Sequence, residues 1–470
     1  MAMDEGLFEK SVQVEASTLT LAEPAPAEQW LSFTKEAIES EDQEALRRLH
    51  GKVHAADLAD LVEYLSHDER QGLFELRPQL LDSRLLIELD EDLRADIIAD
   101  MPPQRVARAL IELETDDQIE LIENLDEVKK EQILATIPLA ERRRLRQTLT
   151  FPEYSAGRLM ASKMVALPQH WNVGQAIDYL RAAQDLPDAF HDIYILSEGF
   201  RPVGKLPLAR FMRSRRDTPL VHIAQTQIHS VLPTLDQEEL AYDFRKYSLM
   251  TAPVVDEETG RLLGIVTVDD VMDVIGEEAE DDMFKLGGLS GETDVFANTW
   301  KTARARFVWL LINLATAVTA SMVIKVFEGT IEQLVALAVL MPIVASMGGN
   351  AGIQTLTIAV RALAMKDITN ATQWRFVGKE LLVGQINGVA FALLIGFVAW
   401  LLYGSVALAV VIAAAMVINL IIAAFSGALI PLALEHYKID PANASGVFLT
   451  TITDVVGFFV FLGLAALILV

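Results

Sequence analysis

The 470-residue chain contains no cysteine, which excludes disulfides, thiolate metal sites and thiol nucleophiles. Histidine is scarce, and the eight present show no close spacing of the kind a metal centre uses. The N-terminal run MAMDEGLFEKSVQVEAS lacks the basic start and apolar stretch of a secretion signal, and residues 1–28 read as a disordered tail. No nucleophile constellation, phosphate-cradling loop or metal-catalytic spacing occurs, so an enzyme is the class with least support.

Positive charge is also in short supply, but unevenly. Residues 301–470 hold seven acids and nine bases, whereas residues 1–300 hold 58 acids and 30 bases. The surplus of negative charge therefore lies in the first part. It repels nucleic acid and attracts cations, and it serves equally as a well-solvated acidic surface. A chain of this length divides into about two or three domains.

What is abundant after Arg306 is uncharged sequence. Crossing a hydrocarbon layer of about 30 Å takes about 20 helical residues. Phe307 to Ile324 and Gln333 to Val360 supply the first two spans. Leu381 to Leu434 is uncharged and long enough for two, split at Tyr403-Gly404-Ser405. Pro441 to Val470 supplies a fifth span, interrupted by Asp454 alone. Lys and Arg are retained in cytoplasmic loops. Lys301, Arg304 and Arg306 precede span one, and Arg361, Lys366, Arg375 and Lys379 follow span two. This places the acidic half in the cytosol and the C-terminus outside.

Two features of the spans carry chemistry. Met347-Gly348-Gly349-Asn350-Ala351-Gly352-Ile353-Gln354 is too rich in glycine and amide to face lipid. It either packs closely against protein or lines water, with Asn350 and Gln354 as pore-lining candidates. Asp454 is a carboxylate at mid-span, costly unless it serves an ion or proton pathway or a structural counter-ion; no basic residue lies at comparable depth in any span. Thr450 and Thr451 add hydroxyls nearby, which can line the path or bond back to their own backbone. One Asp per chain cannot hold a stripped ion, so two chains facing their carboxylates across an axis, a homodimer, is the sensible arrangement. Magnesium suits it, because this ion sheds water reluctantly and is held by one or two carboxylates through its hydration shell.

Between Glu41 and Pro138, short apolar-periodic helices follow acidic starts, over 56–65, 70–76, 84–89, 92–101, 104–113, 117–125 and 128–137. This reads as a stacked all-α superhelix. Residues 157–275 change to β-branched strands with an internal duplication. Ile193 to Leu196 followed by Pro202 to Leu206 recurs as Ala252 to Val255 followed by Leu262 to Val268, each copy ending in a helix (208–212 and 269–275). From Asp269 to Asp282, carboxylates crowd neighbouring turns, and like charges at helical spacing repel. A divalent cation would relieve the repulsion, or the segment is a solvated linker.

The duplicated α/β unit resembles a tandem pair of CBS domains, with Gly264-Ile265-Val266-Thr267 and Asp269-Asp270 as the more typical copy and Lys205-Leu206-Pro207 a departure. Such pairs often bind adenine nucleotides such as ATP and many are only structural; no nucleotide is assigned from the sequence. The whole order of parts resembles the MgtE family of magnesium channels. The resemblance is carried by Pro342, by Met347 through Gly352, by Gln354 to Arg361-Ala362-Leu363-Ala364, by Gly427 and Pro431, and by Thr450-Thr451-Ile452-Thr453-Asp454-Val455 with Gly457. It implies a multidomain fold: an N domain over 29–150, a CBS pair over 151–276, an acidic plug helix over 277–302 and a five-helix pore domain over 303–470. It further implies a homodimer in the inner (cell) membrane, with Asp454 holding hydrated Mg2+. It also implies cytosolic Mg2+ sensing by Asp116, Glu120, Asp236, Glu238, Asp270, Asp273, Glu278, Asp281 and Asp282. Gly276, Ser248 and Val447 depart from the family pattern. The implied mechanism closes the pore when cytosolic magnesium bridges these carboxylates. A proton-coupled transporter and a membrane-anchored nucleotide sensor are the rival readings.

Overall fold

The computed structural model describes residues 27–50, 53–123, 125–183, 186–187, 189–289, 299–442 and 445–470. The tail expected over 1–28 lies outside them except for its last two residues, which open the first helix. By packing the chain divides into two compact units, one formed by residues up to 236 together with 250–267, the other by 237–249 together with 268–470.

The first unit begins with ten short helices: α1 (Ala27–Glu39), α2 (Gln43–His50), α3 (Ala55–Glu63), α4 (His67–Leu76), α5 (Ser83–Glu88), α6 (Glu91–Asp100), α7 (Pro103–Glu112), α8 (Thr115–Glu123), α9 (Glu127–Thr136) and α10 (Leu139–Thr148). The acidic and hydroxyl starts read from the sequence are helix caps. Ser66 accepts from the Glu69 amide while the Glu69 carboxylate accepts from the Ser66 amide, satisfying two otherwise orphaned donors. Asp82 and Asp126 cap α5 and α9 by accepting from first-turn amides, and Pro103 sits at the first turn of α7, where its missing N–H costs nothing. Helices shorter than about 12 residues are marginal alone. These hold because Leu58, Leu73, Leu86, Ile98, Leu110, Ile119 and Ile133 belong to one continuous buried core.

The rest of the first unit is the duplicated α/β region. Strand β1 (Ala166–Pro168) precedes α11 (Val173–Ala182), which is followed by β2 (Asp192–Leu196), β3 (Pro202–Pro207), α12 (Leu208–Met212) and α13 (Leu220–Ile223). Helix α14 (Gln237–Tyr247) belongs to the second unit, after which β4 (Thr251–Val255) and β5 (Leu262–Thr267) return to the first. The two hairpins repeat in detail. Both are antiparallel, both slip register at the last residue of the leading strand, and Gly204 and Gly264 occupy equivalent places opposite Ile195 and Val254. The departure at Lys205 has a physical reason: its ammonium lies 3.2 Å from the buried Asp192 carboxylate. That carboxylate accepts from Thr251 Oγ at 2.7 Å, and Thr251 Oγ lies 2.6 Å from the Tyr194 hydroxyl, which burial pushes well above the usual phenol range. The two copies thus share a buried polar junction. Lys205→Met leaves Asp192 buried without its counter-charge, and should destabilise the first unit by about 3–5 kcal/mol, read as a lowered midpoint in thermal or urea unfolding of the detergent-solubilised chain.

The second unit continues with α15 (Val268–Leu286), α16 (Thr299–Val326), α17 (Glu328–Gln333), α18 (Ala336–Ala364), α19 (Gln373–Tyr403), α20 (Val406–His436) and α21 (Ser445–Ile468). Five of these, α16 and α18 to α21, are long and apolar enough to cross a membrane. Gly404 ends α19 in the left-handed conformation (φ 66°) and Ser405 caps α20, so the turn read at 403–405 is a helix stop followed by a helix start. Helix α20 is the centre of the bundle, in contact with α18, α19 and α21. Close approach is made by small residues: a Cβ on Gly384 would lie 2.7 Å from that of Ala424, and one on Gly427 would lie 2.6 Å from the Gly352 carbonyl oxygen. One expectation needs correction. The helix expected to end at 275 and the plug expected from 277 are a single unbroken helix, α15, starting at Val268; Gly276 has open space around it and does not interrupt the turn. Residues 290–298 of the expected plug lie outside the described residues.

Candidate functional site

Asp454 lies on α21, half-buried within the single chain. Among the described residues no ion pair or hydrogen bond engages its carboxylate, so a counter-ion role finds no counter-ion. The helices that carry the two sequence signatures pack together. They do so where glycine permits: a Cβ on Gly352 of α18 would lie 2.8 Å from Leu449 of α21. Asn350 and Gln354, four residues apart and therefore on one face of α18, are both exposed in the single chain. The hydroxyls of Thr450 and Thr451 donate to their own helix, to the Gly446 carbonyl at 3.0 Å and the Val447 carbonyl at 2.6 Å. As pore-lining candidates they therefore offer lone pairs and not protons.

Helices α14 and α15 attach at the C-terminal end of α18 and the N-terminal end of α21. Leu286, at the end of α15, packs onto a buried cluster of Leu356, Val360, Ala442 and Leu449 from α18, the α20–α21 connection and α21. Beside it, Lys285 Nζ lies 2.5 Å from both Asp281 and Asp440, joining α15 to the connection that leads into α21. Burial works against that ammonium, but the two carboxylates outweigh it and hold Lys285 above its ordinary range. Helix α14 is tied to the α18–α19 connection: Lys366 Nζ lies 2.7 Å from Glu239 and 4.8 Å from the Tyr242 ring centroid.

Among the described residues no group of three or more His, Asp or Glu is placed to hold a metal ion. Asp116 and Glu120 lie on α8, where Glu120 accepts from the buried Arg94 at 2.6 Å. Asp236 and Glu238 are exposed at the start of α14. Asp270, Asp273, Glu278, Asp281 and Asp282 all lie on α15, with Glu278 accepting from Gln237 at 2.6 Å. Burial, reinforced by Asp440, Glu278 and Asp281, pushes the Asp282 carboxyl up to about 6. A raised carboxyl favours the docked arrangement when protonated, and that contribution is lost as pH rises from the ordinary carboxylate range through about 6. With divalent ions chelated, lowering the pH from about 7 to about 5 should therefore slow proteolysis of residues 269–289. A rate that stays constant or rises would show that Asp282 is not held in this packing.

Two buried polar residues escaped the sequence reading. Glu380 was placed just before span three, yet α19 begins at Gln373 and the side chain is 4% exposed. Its carboxylate faces Thr355 Oγ of α18 at 3.4 Å and the Lys379 ammonium at 3.5 Å. Asn419, the single asparagine in α20, is wholly buried. Its isolation within an aliphatic run was the signal that could have found it.

Three family models match the chain: the MgtE divalent cation transporter over 341–464, the MgtE intracellular N domain over 53–154 and the CBS domain over 220–277. The magnesium transporter MgtE of Thermus thermophilus is 32% identical over 445 residues, covering 93% of this chain and 97% of that protein. The magnesium transporter MgtE of Bacillus subtilis is 29% identical over 427 residues, covering 88% and 94%. The crystal structure of the cytosolic domain of the Mg2+ channel MgtE in complex with ATP is 30% identical, covering 52% of this chain and 99% of that one, with a TM-score of 0.48.

Proposed function

This chain belongs to the MgtE family of magnesium transporters, and we propose that it is a homodimeric channel for magnesium uptake, closed from the cytosolic side by magnesium itself. The observation that carries the reading is Asp454, a half-buried carboxylate in a membrane-crossing helix that no basic group neutralises among the described residues. A lone unpaired carboxylate at such depth is costly unless a cation passes beside it. A hydrated dication supplies the hydrogen-bond donors that the carboxylate lacks, and Asn350 and Gln354 offer further acceptors on α18. Two chains are needed to present two carboxylates to one ion.

Orientation follows from Lys301, Arg304, Arg306, Arg361, Lys366, Arg375 and Lys379, which place α14, α15 and the preceding unit in the cytosol. Entry is driven by the membrane potential, worth ~2.3 kcal/mol per charge per 100 mV and so about twice that for a dication. Gating rests on α15, which carries eight carboxylates and one lysine. With magnesium scarce, their mutual repulsion favours release of α15 from α18 and α21. With magnesium plentiful, bound cations neutralise the helix and Leu286 and Lys285 seat it. This requires tighter magnesium binding to the seated state.

Magnesium flux into liposomes, with and without magnesium on the cytosolic face, tests the reading. Flux that follows voltage and falls with cytosolic magnesium supports it. Flux that follows a proton gradient instead would establish the proton-coupled transporter. Liposomes that pass no divalent ion would leave the nucleotide sensor, and repeating the assay with ATP measures any nucleotide effect separately.

A further inference from the structure

Asn419 is the polar group deepest in the membrane bundle that the reading above leaves without a task. The side chain is 0% exposed. Its Nδ2 donates to the Val344 carbonyl of α18 at 2.8 Å, while Oδ1 finds no hydrogen-bond partner among the described residues. A leucine would fill similar space without stranding an acceptor, so packing alone does not account for a carboxamide here.

Two glycines on two other helices make room for it. A Cβ on Gly348 of α18 would lie 2.2 Å from Nδ2, and one on Gly457 of α21 would lie 2.9 Å from the same atom. Neither distance is compatible with any side chain at those positions while the amide keeps its place. The carboxamide of α20 is thus seated between bare backbone of α18 and bare backbone of α21. Gly348 stands two residues before Asn350. Gly457 stands three residues, less than one turn, after Asp454. Besides their direct packing where Gly352 meets Leu449, the helices carrying the two groups of candidate ion-facing residues are therefore bridged by one polar side chain of a third helix, Asn419.

We propose that Asn419 is a positioning residue for conduction: anchored to the Val344 carbonyl and seated against Gly457, it sets α18 and α21 relative to each other and so holds Asp454 at the height and angle at which a hydrated dication meets it. The inference rests on the assignment of Asp454 as the ion site. Asn419 itself does not touch the ion; it acts through Asp454.

The test is magnesium flux against magnesium concentration in liposomes, normalised to assembled protein, for Asn419→Leu, Asn419→Ala, Gly457→Ala, the double variant Asn419→Ala with Gly457→Ala, and Asp454→Asn. Asn419→Leu should assemble but need about tenfold more magnesium for half-maximal flux, the size of effect expected when neighbours that act as a unit are uncoupled. Discrimination between magnesium and cobalt should change with it, which a loss of assembled protein alone would not produce. Gly457→Ala should reduce flux about tenfold in the native background and have little effect beside Asn419→Ala, where the amide that its methyl meets is gone. Native half-saturation and selectivity in Asn419→Leu, or effects of Asn419→Ala and Gly457→Ala that simply multiply, would overturn the proposal. Asp454→Asn separates the two failures. Native flux in that variant removes the ion site itself, whereas lost flux beside a cycle without coupling removes Asn419 alone.

Discussion

Asp454→Asn should reduce magnesium uptake by at least about a hundredfold while the protein still assembles in the membrane. The substitution keeps shape and volume and removes only the charge. A dication about 5 Å from a unit negative charge, the separation of a hydrated ion from its carboxylate, gains on the order of 6 kcal/mol at an effective dielectric near 20. Even a third of that is more than a tenfold change in occupancy per chain, and the proposed homodimer loses it twice. Asp454 has no basic neighbour among the described residues, so its replacement strands no counter-charge and gives no reason for misfolding. Asp454→Glu keeps the charge but displaces it by one methylene, and should retain measurable, weaker uptake. Isotope or fluorescent-indicator uptake in liposomes measures both, with size-exclusion chromatography to confirm assembly. Native uptake by Asp454→Asn would sink the assignment.

The second large effect is expected on α15. Replacing Glu277, Glu278, Glu280, Asp281 and Asp282 together by their amides should leave flux almost independent of magnesium on the cytosolic face. These five carboxylates lie within six consecutive positions of one helix, where like charges three or four residues apart repel. The amides remove both the repulsion that favours release and the charge that recruits the cation. They also remove one of the two carboxylates holding Lys285, leaving Asp440 as its remaining partner. A titration of flux against cytosolic magnesium measures the result. An unchanged closing concentration would mean that the sensing groups lie elsewhere. In the native chain, millimolar magnesium should protect residues 269–289 from protease, and in the five-fold variant cleavage should no longer respond to it.

Much of the architecture is visible in the sequence because it depends on one-dimensional signals. The seven short helices expected between 56 and 137 each fall within three residues of an observed one at either end, since capping residues and apolar period announce both start and face. The duplication of residues 193–206 at 252–268 reappears as two hairpins with the same register slip. The five spans emerge from length without charge, although charge does not mark their ends: α19 starts well before Leu381, while the interval 441–470 overruns α21 at both ends. Glu380 shows why: a carboxylate reads as a boundary, whereas the folded helix starts a full two turns earlier and buries it.

What the sequence conceals is pairing at a distance. Nothing local to Lys285 indicates that its second partner is Asp440, 155 residues on, and nothing around Asn419 announces that glycines on two other helices leave it room. The sensor carboxylates show the converse difficulty. Acidity was legible and geometry was not: the candidates fall on α8, at the start of α14 and on α15, and the sequence does not say which of them would share a cation.

The contact between Gly427 and Gly352 has a mechanical consequence. With a backbone oxygen occupying the place where a side chain would be, sliding of α18 along α20 is opposed at this point. In the gating proposed above, displacement is taken up at joints: the segment between α18 and α19, where Lys366 adopts a left-handed backbone (φ 53°), and the one between α20 and α21, where Lys438 does the same (φ 58°). Both joints lie where α14 and α15 attach, through Lys366 with Glu239 and Lys285 with Asp440, so in that gating the hinges sit beside the helix that carries the carboxylates.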